Sequence, residues 1–77
     1  MAYKKIRMYL VNARMQLGYS QYRAAEKAQM SHQHYNRVEN GQIGKNIQFR
    51  TILSICKALN IRTSDAWHYE ESYQKTL

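Results

Sequence analysis

Residues Ser20–Gly41, SQYRAAEKAQMSHQHYNRVENG, read as two short helices joined by a tight turn, and that reading decides the fold. Ser20 is a good N-cap for the first helix and Gln21 opens it, although Arg23 stands where a full capping box would carry Glu or Gln. Ala24, Ala25 and Ala28 supply a small-residue face that lets a neighbouring helix cross closely at a sharp angle. After the turn Gln29-Met30-Ser31, the second helix spans about Ser31–Asn40, and Gly41 is free to take a positive φ and end it. At about 100° per residue, Ser31, Tyr35 and Val38 fall on one side of this helix and His32, Gln33, Asn36 and Arg37 on the other. A merely solvated face favours Lys and Glu, whereas Gln, Asn, Arg and His carry the hydrogen-bonding geometry that suits base edges in a DNA major groove.

Working outward, about Lys4 to Leu17 is expected to form a preceding helix, with Ile6, Leu10, Ala13 and Leu17 at helical spacing and Gly18 as its stop. Tyr19 is expected to pack inward. Downstream, Gln42–Asn46 is a polar loop. A helix beginning near Ile47 or Gln48 then carries Phe49, Ile52, Leu53, Cys56 and Leu59 at helical spacing as the floor of the core. Asn60 stops it, Ile61 packs inward, and Thr63 or Ser64 caps a fifth helix that begins with Asp65, Ala66 and Trp67. The continuation HYEESYQKTL offers a stripe of Ala66, Tyr69, Tyr73 and Leu77 and reads as a helix extension, a dimer contact or a frayed end. One compact all-α domain of five helices is thus expected over residues 1–67, with its helix-turn-helix core at 20–41, and 68–77 form a C-terminal tail.

A chain of 77 residues makes one small domain, and its single cysteine excludes a disulfide framework. No apolar stretch approaches the ~20 residues of a membrane span, and MAYKKIRMYL lacks the apolar run of a secretory signal, so a soluble cytoplasmic protein is expected. The net charge is +7 and unevenly spread: residues 1–62 hold eleven Lys or Arg against Glu26 and Glu39, whereas residues 63–77 hold Lys75 against Asp65, Glu70 and Glu71. A basic body points to a polyanionic partner without naming it, because counterion release is blind to sequence. Lys4, Lys5, Arg7, Arg23, Lys27, Arg50, Lys57 and Arg62 are each read as plain surface charge, informative only in sum.

The combination of Arg14, Ser20-Gln21, Ala25, Met30-Ser31, Tyr35, Val38, Glu39 and Gly41, followed by the Phe49–Leu59 helix and Asn60-Ile61, resembles the lambda-repressor-like helix-turn-helix proteins of the Cro/C1 or Xre type. The resemblance covers roughly Ile6 to Trp67. It implies five helices, the third in the major groove, and a dimer on a near-palindromic operator of double-stranded DNA. Carried over by position, it makes Gln21, His32, Gln33, Asn36 and Arg37 the base-contacting set, with Ser31, Asn40 and Lys45 near phosphates. It also implies an ion pair between Arg14 and Glu39, and a lone partly buried carboxylate in so basic a body needs such a cation. Three departures stand out: Gln29 where the family commonly has glycine, Ala24 and Ala28 smaller and Tyr35 larger than usual, and a Gln42–Asn46 loop about two residues longer. Tyr35 is expected to fill the space the alanines leave.

The competing chemistry is thin. His32 and His34 diverge on a helix, and neither Cys56 nor His68 stands at metal-ligand spacing from them, so no metal or other cofactor is expected. Ser64, Asp65 and His68 imply no oxyanion site or substrate pocket, so no enzyme is expected. Cys56 reads as a small core residue, Met8 and Met15 as packing or interface, and Trp67, Tyr69 and Tyr73 as a dimer surface or core. The expected function is a sequence-specific transcriptional regulator, a homodimeric repressor associated with the nucleoid through DNA. The alternative is an antitoxin that binds its operator and a protein partner through the 68–77 tail; non-specific nucleic-acid or RNA binding is a weaker one.

Overall fold

The computed structural model describes residues 5–77 and forms α1 (Met8–Gln16), α2 (Gln21–Lys27), α3 (His32–Glu39), α4 (Phe49–Ala58) and α5 (Thr63–Lys75). The architecture is all-α, as the periodicity predicts. Lys4, expected as the first residue of the first helix and as a surface cation, lies outside the described residues.

Four of the five helices end in the same way. A residue at positive φ follows each C-cap: Gly18 at 70°, Gln29 at 58°, Gly41 at 81° and Asn60 at 61°. Its N–H and that of the next residue then turn back to close the last carbonyls, as Gln29 N to Glu26 O at 3.1 Å and Met30 N to Ala25 O at 3.0 Å do for α2. Gln29 therefore does take the left-handed conformation that a glycine holds without strain, which costs a residue of its type roughly 1–2 kcal/mol. Gly41 is obligatory for a second reason, since a Cβ there would lie 1.9 Å from the Lys5 carbonyl oxygen. Tyr19, Met30 and Ile61, each following one of these stops, pack against the core.

The core lies where α2, α3 and α4 converge. Ala24, Ala25 and Ala28 of α2 share one cluster with Tyr35 and Val38 of α3 and with Ile52, Ile55, Cys56 and Leu59 of the α4 segment. Tyr35 is fully buried in the same cluster as the alanines, its hydroxyl bonded to Glu39. The floor differs in detail from the expected stripe: Ile55 is fully buried, Leu53 only half so, and Phe49 opens α4 at the rim with its ring edge-on to Trp67 at 5.0 Å. Burial pushes the Cys56 thiol up to about 12, so it is an inert core group rather than a nucleophile.

The two ends of the chain depart most from expectation. α1 begins at Met8 rather than Lys4, with Arg7 as its N-cap, and Ile6 is left outside the helix and 46% exposed. α5 begins at Thr63 with Arg62 as its N-cap, so neither Thr63 nor Ser64 caps it. It runs without a break to Lys75, and its buried stripe is Ala66, Glu70 and Tyr73, whereas Tyr69 and Leu77 are exposed. Residues 68–75 are thus a docked helix, not a frayed end.

Arg7, expected to be surface charge, is instead fully buried, and the reason is Glu70. Its guanidinium donates through Nε and Nη2 to the two carboxylate oxygens of Glu70, both at 2.9 Å. The remaining donors reach the carbonyls of Val38, Ile43 and Gly44 at 2.7, 2.6 and 3.2 Å, so every N–H of the group is used. Glu70 also accepts from Tyr9 Oη at 2.7 Å and Gln74 Nε2 at 2.8 Å, and the Tyr73 ring lies 4.4 Å beneath the Arg7 guanidinium. One ion pair thereby joins α1, the end of α3, the following loop and α5. Glu70→Gln leaves a buried guanidinium without its counter-charge and is expected to cost about 3–5 kcal/mol, read as a lowered midpoint in urea unfolding. An unchanged midpoint would mean that α5 docks through its apolar residues alone.

Candidate nucleic-acid interface

Ser20 and Ser31 cap α2 and α3, their Oγ atoms accepting from Arg23 N at 3.0 Å and His34 N at 3.1 Å. Both caps are side-chain hydrogen bonds of the kind the sequence predicts, and each leaves the serine O–H free to donate outward. With the turn closed at Gln29, α3 crosses α2 over the three alanines, and the face opposite Tyr35 and Val38 is left to solvent.

The five expected residues, four on that face and Gln21 beside it at the start of α2, divide into two groups. His32, Gln33 and Arg37 are exposed and donate no side-chain hydrogen bond to the described residues. The His32 ring is tilted against Tyr22 of α2, their centroids 5.3 Å apart, a contact the sequence did not signal. Gln21 and Asn36 are half-buried and bonded to each other: Asn36 Nδ2 donates to Gln21 Oε1 at 2.7 Å. Gln21 Nε2 donates in turn to Glu39 at 2.8 Å, and Asn40 Nδ2 donates to Asn36 Oδ1 at 2.9 Å. Ser31 is exposed at the start of α3 and Asn40 half-buried at its end. Lys45 lines a cleft between the loop after α3 and α5, together with Phe49, Trp67, Glu71 and Lys75.

Glu39 holds this face to α1. The Arg14 guanidinium donates through Nε at 2.9 Å and Nη2 at 3.1 Å to its two oxygens, and through Nη1 to the Tyr19 carbonyl at 2.9 Å. Tyr35 Oη donates to the same carboxylate at 2.6 Å. Burial pushes the Glu39 carboxyl upward, but the bonds from Arg14, Tyr35 and Gln21 outweigh it and hold the group below the ordinary carboxylate value. Glu70 is held low by the same balance, burial opposed by Arg7, Tyr9 and Gln74.

The charge distribution sharpens once pairs are assigned. All five acids have a cationic partner: Glu70 with Arg7, Glu39 with Arg14, Glu26 with Arg23, Asp65 with Arg62 and Glu71 with Lys75. The net +7 therefore rests on cations without an acid, which among the described residues are Lys5, Lys27, Arg37, Lys45, Arg50 and Lys57. Arg37 is the one that stands on the outer face of α3.

The family model described as Helix-turn-helix matches residues 10–65, a span that takes in most of α1, all of α2 to α4 and the start of α5, with the outer face of α3 inside it. The chain belongs to this family, the Cro/C1-type helix-turn-helix DNA-binding proteins. None of the curated proteins compared matches the chain. Membership of the helix-turn-helix family makes it a DNA-binding regulator of the Xre type, and that family is a non-enzymatic one. No helix among the described residues is long and apolar enough to cross a membrane.

Two measurements test the frame of the interface. Glu39 is only 2% exposed and Arg14 15%, so Arg14→Ala is expected to cost about 3–5 kcal/mol in thermal or urea unfolding; a loss below about 1 kcal/mol would mean solvent replaces the guanidinium freely. The depressed carboxyls of Glu39 and Glu70 contribute stability that is complete above the unfolded-chain value of about 4.3 and is lost as pH falls through their folded values. Melting temperature is accordingly expected to be flat from about pH 5 to about pH 8 and to drop steeply below about pH 4, less steeply in Glu70→Gln.

Proposed function

We propose that the protein is a sequence-specific transcriptional regulator that acts as a homodimeric repressor, with α3 in the major groove of double-stranded DNA. The observation that carries this reading is the outer face of α3. It holds exposed Gln33, Arg37 and His32 beside the pre-arranged amides of Gln21 and Asn36, on a body whose uncompensated charge is positive. Arg37 is suited to guanine O6 and N7 and Gln33 to adenine N6 and N7, each good bidentate pair contributing ~1–3 kcal/mol of discrimination. Asn36, Gln21 and His32 reach base edges beside them. Ser31, Asn40 and Lys45 contact phosphates, which fixes the register of the helix without adding sequence information.

Dimerisation fits the apolar cleft of about 560 Å³ between α4 and α5, where Phe49 and Trp67 are partly exposed. Two copies with recognition helices one DNA turn apart, ~34 Å, would select a near-palindromic operator, and a dimer seated there represses by occupying the promoter. The antitoxin reading draws less support. It rests on an acidic, aromatic tail from Trp67 to Leu77, whose rings Trp67 and Tyr69 are exposed but whose Glu70 is turned inward onto Arg7 and whose Glu71 meets Lys75 on the same helix.

Selection from random duplex DNA with the purified protein is expected to yield a palindromic consensus. With about three or four phosphates neutralised per subunit, log affinity against log salt should slope near −5 to −7. Arg37→Ala is expected to lose ~1–3 kcal/mol on the consensus and to relax one base position, while Lys45→Ala weakens all sequences alike. Equal loss on consensus and random duplex for Arg37→Ala would move Arg37 to the phosphate class, and a salt slope near zero would contradict groove binding.

A further inference from the structure

The three amides beside Glu39 form a chain with a single direction. An ionised carboxylate only accepts hydrogen bonds, so the end of Gln21 that faces Glu39 must be its Nε2 group. The Oε1 atom of Gln21 is thereby turned to Asn36 and can be met only by a donor, so Asn36 presents Nδ2 to it at 2.7 Å. Asn36 Oδ1 then lies toward the end of α3, where Asn40 Nδ2 donates to it at 2.9 Å. Reversing Asn36 alone would set oxygen against oxygen on one side and NH2 against NH2 on the other. An isolated asparagine on a helix surface has no such constraint, since its two orientations differ little in shape.

We propose that Gln21 is a specificity-determining positioning residue: it transmits the charge of Glu39 to Asn36 and fixes which end of the Asn36 amide faces which direction in the groove. Asn36 keeps one N–H and one oxygen lone pair for a base after its two internal bonds. Major-groove edges present donors and acceptors in a set order along each base pair, so an amide held in one orientation matches one order and rejects its reverse. Gln21 thus governs a base preference expressed through another residue. It does so in addition to any contact made by its own remaining N–H, and its place at the first position of α2 keeps the orientation tied to the α2–α3 crossing.

The inference rests on the DNA-binding reading above, and its test separates the two. Wild type, Asn36→Ala, Gln21→Ala and Gln21→Met are each taken through selection from random duplex DNA; Asn36→Ala marks the base position that Asn36 reads, and Gln21→Met keeps the side-chain length without an amide. Discrimination at that position is expected to fall from about tenfold or more to about twofold in both Gln21 variants, with the positions read by Gln33 and Arg37 unchanged. In the free protein, the side-chain NH2 resonances of Asn36 in an amide-proton NMR spectrum should move toward those of a solvated asparagine in Gln21→Met. A folded Gln21→Met variant that keeps the full wild-type preference at the Asn36 position overturns the proposal alone. A wild-type protein that selects no sequence overturns the DNA-binding reading and this one together.

Discussion

Two arginines seven residues apart on α1, Arg7 at its N-cap and Arg14 in its last turn, each hold a buried carboxylate by a bidentate contact. Seven residues are close to two helical turns, so both guanidiniums lie on one face of α1, with Leu10 between them. One reaches Glu70 of α5 and the other Glu39 of α3. An apolar seam would leave the rotation and slide of these short helices loosely defined. A planar fork of N–H groups against two carboxylate oxygens fixes both distance and angle. Burying two ion pairs is tolerable only when the ions are fully bonded, and here each carboxylate accepts four hydrogen bonds from named partners. Among the described residues, no buried side-chain nitrogen or oxygen is left without a partner.

Much of this frame was legible in the residues, because its local rules are strong. Gly18, Gly41 and Asn60 stand where helices stop, Ser20 and Ser31 where two begin, and the three alanines where helices cross closely. The Gln29 position was legible as a conflict between a turn that demands positive φ and a residue that resists it, and the turn prevails because both of its backbone bonds form. Of the two long-range buried charge pairs, Arg14–Glu39 is implied by the family resemblance, whereas Arg7–Glu70 is not. Arg7 and Glu70 are 63 residues apart, and counted as composition one is surface charge and the other an acid in a tail. A signal was present all the same: Arg7 falls in register with Leu10, and Glu70 in register with Ala66 and Tyr73. A charge inside an apolar stripe requires an opposite charge inside another.

The same distinction separates the residues of the candidate interface. Periodicity places His32, Gln33, Asn36 and Arg37 on one face of α3, and the family resemblance adds Gln21 from α2, but neither says how they are held there. The division of that face into free side chains and bonded amides depends on Glu39, whose carboxylate, held ionised and inward by Arg14, meets Gln21 and through it Asn36. The charge that fixes the angle of α3 is also the charge that orders the amides on its surface.

From this follows an asymmetry in what the fold asks of its recognition face. The side chains of His32, Gln33 and Arg37 form no hydrogen bond on which α1, α2 or α5 depends, so replacing Gln33 or Arg37 changes the exposed surface and leaves the frame alone. Gln21 and Asn36 belong to both layers at once, because each accepts or donates within the protein before it meets a ligand. A substitution there changes the orientation of its neighbour as well as its own contact, and effects at Gln21, Asn36 and Asn40 are therefore non-additive. The outer side chains can be replaced one at a time, whereas a change at Gln21 or Asn36 has to keep the order of donors and acceptors that Glu39 sets.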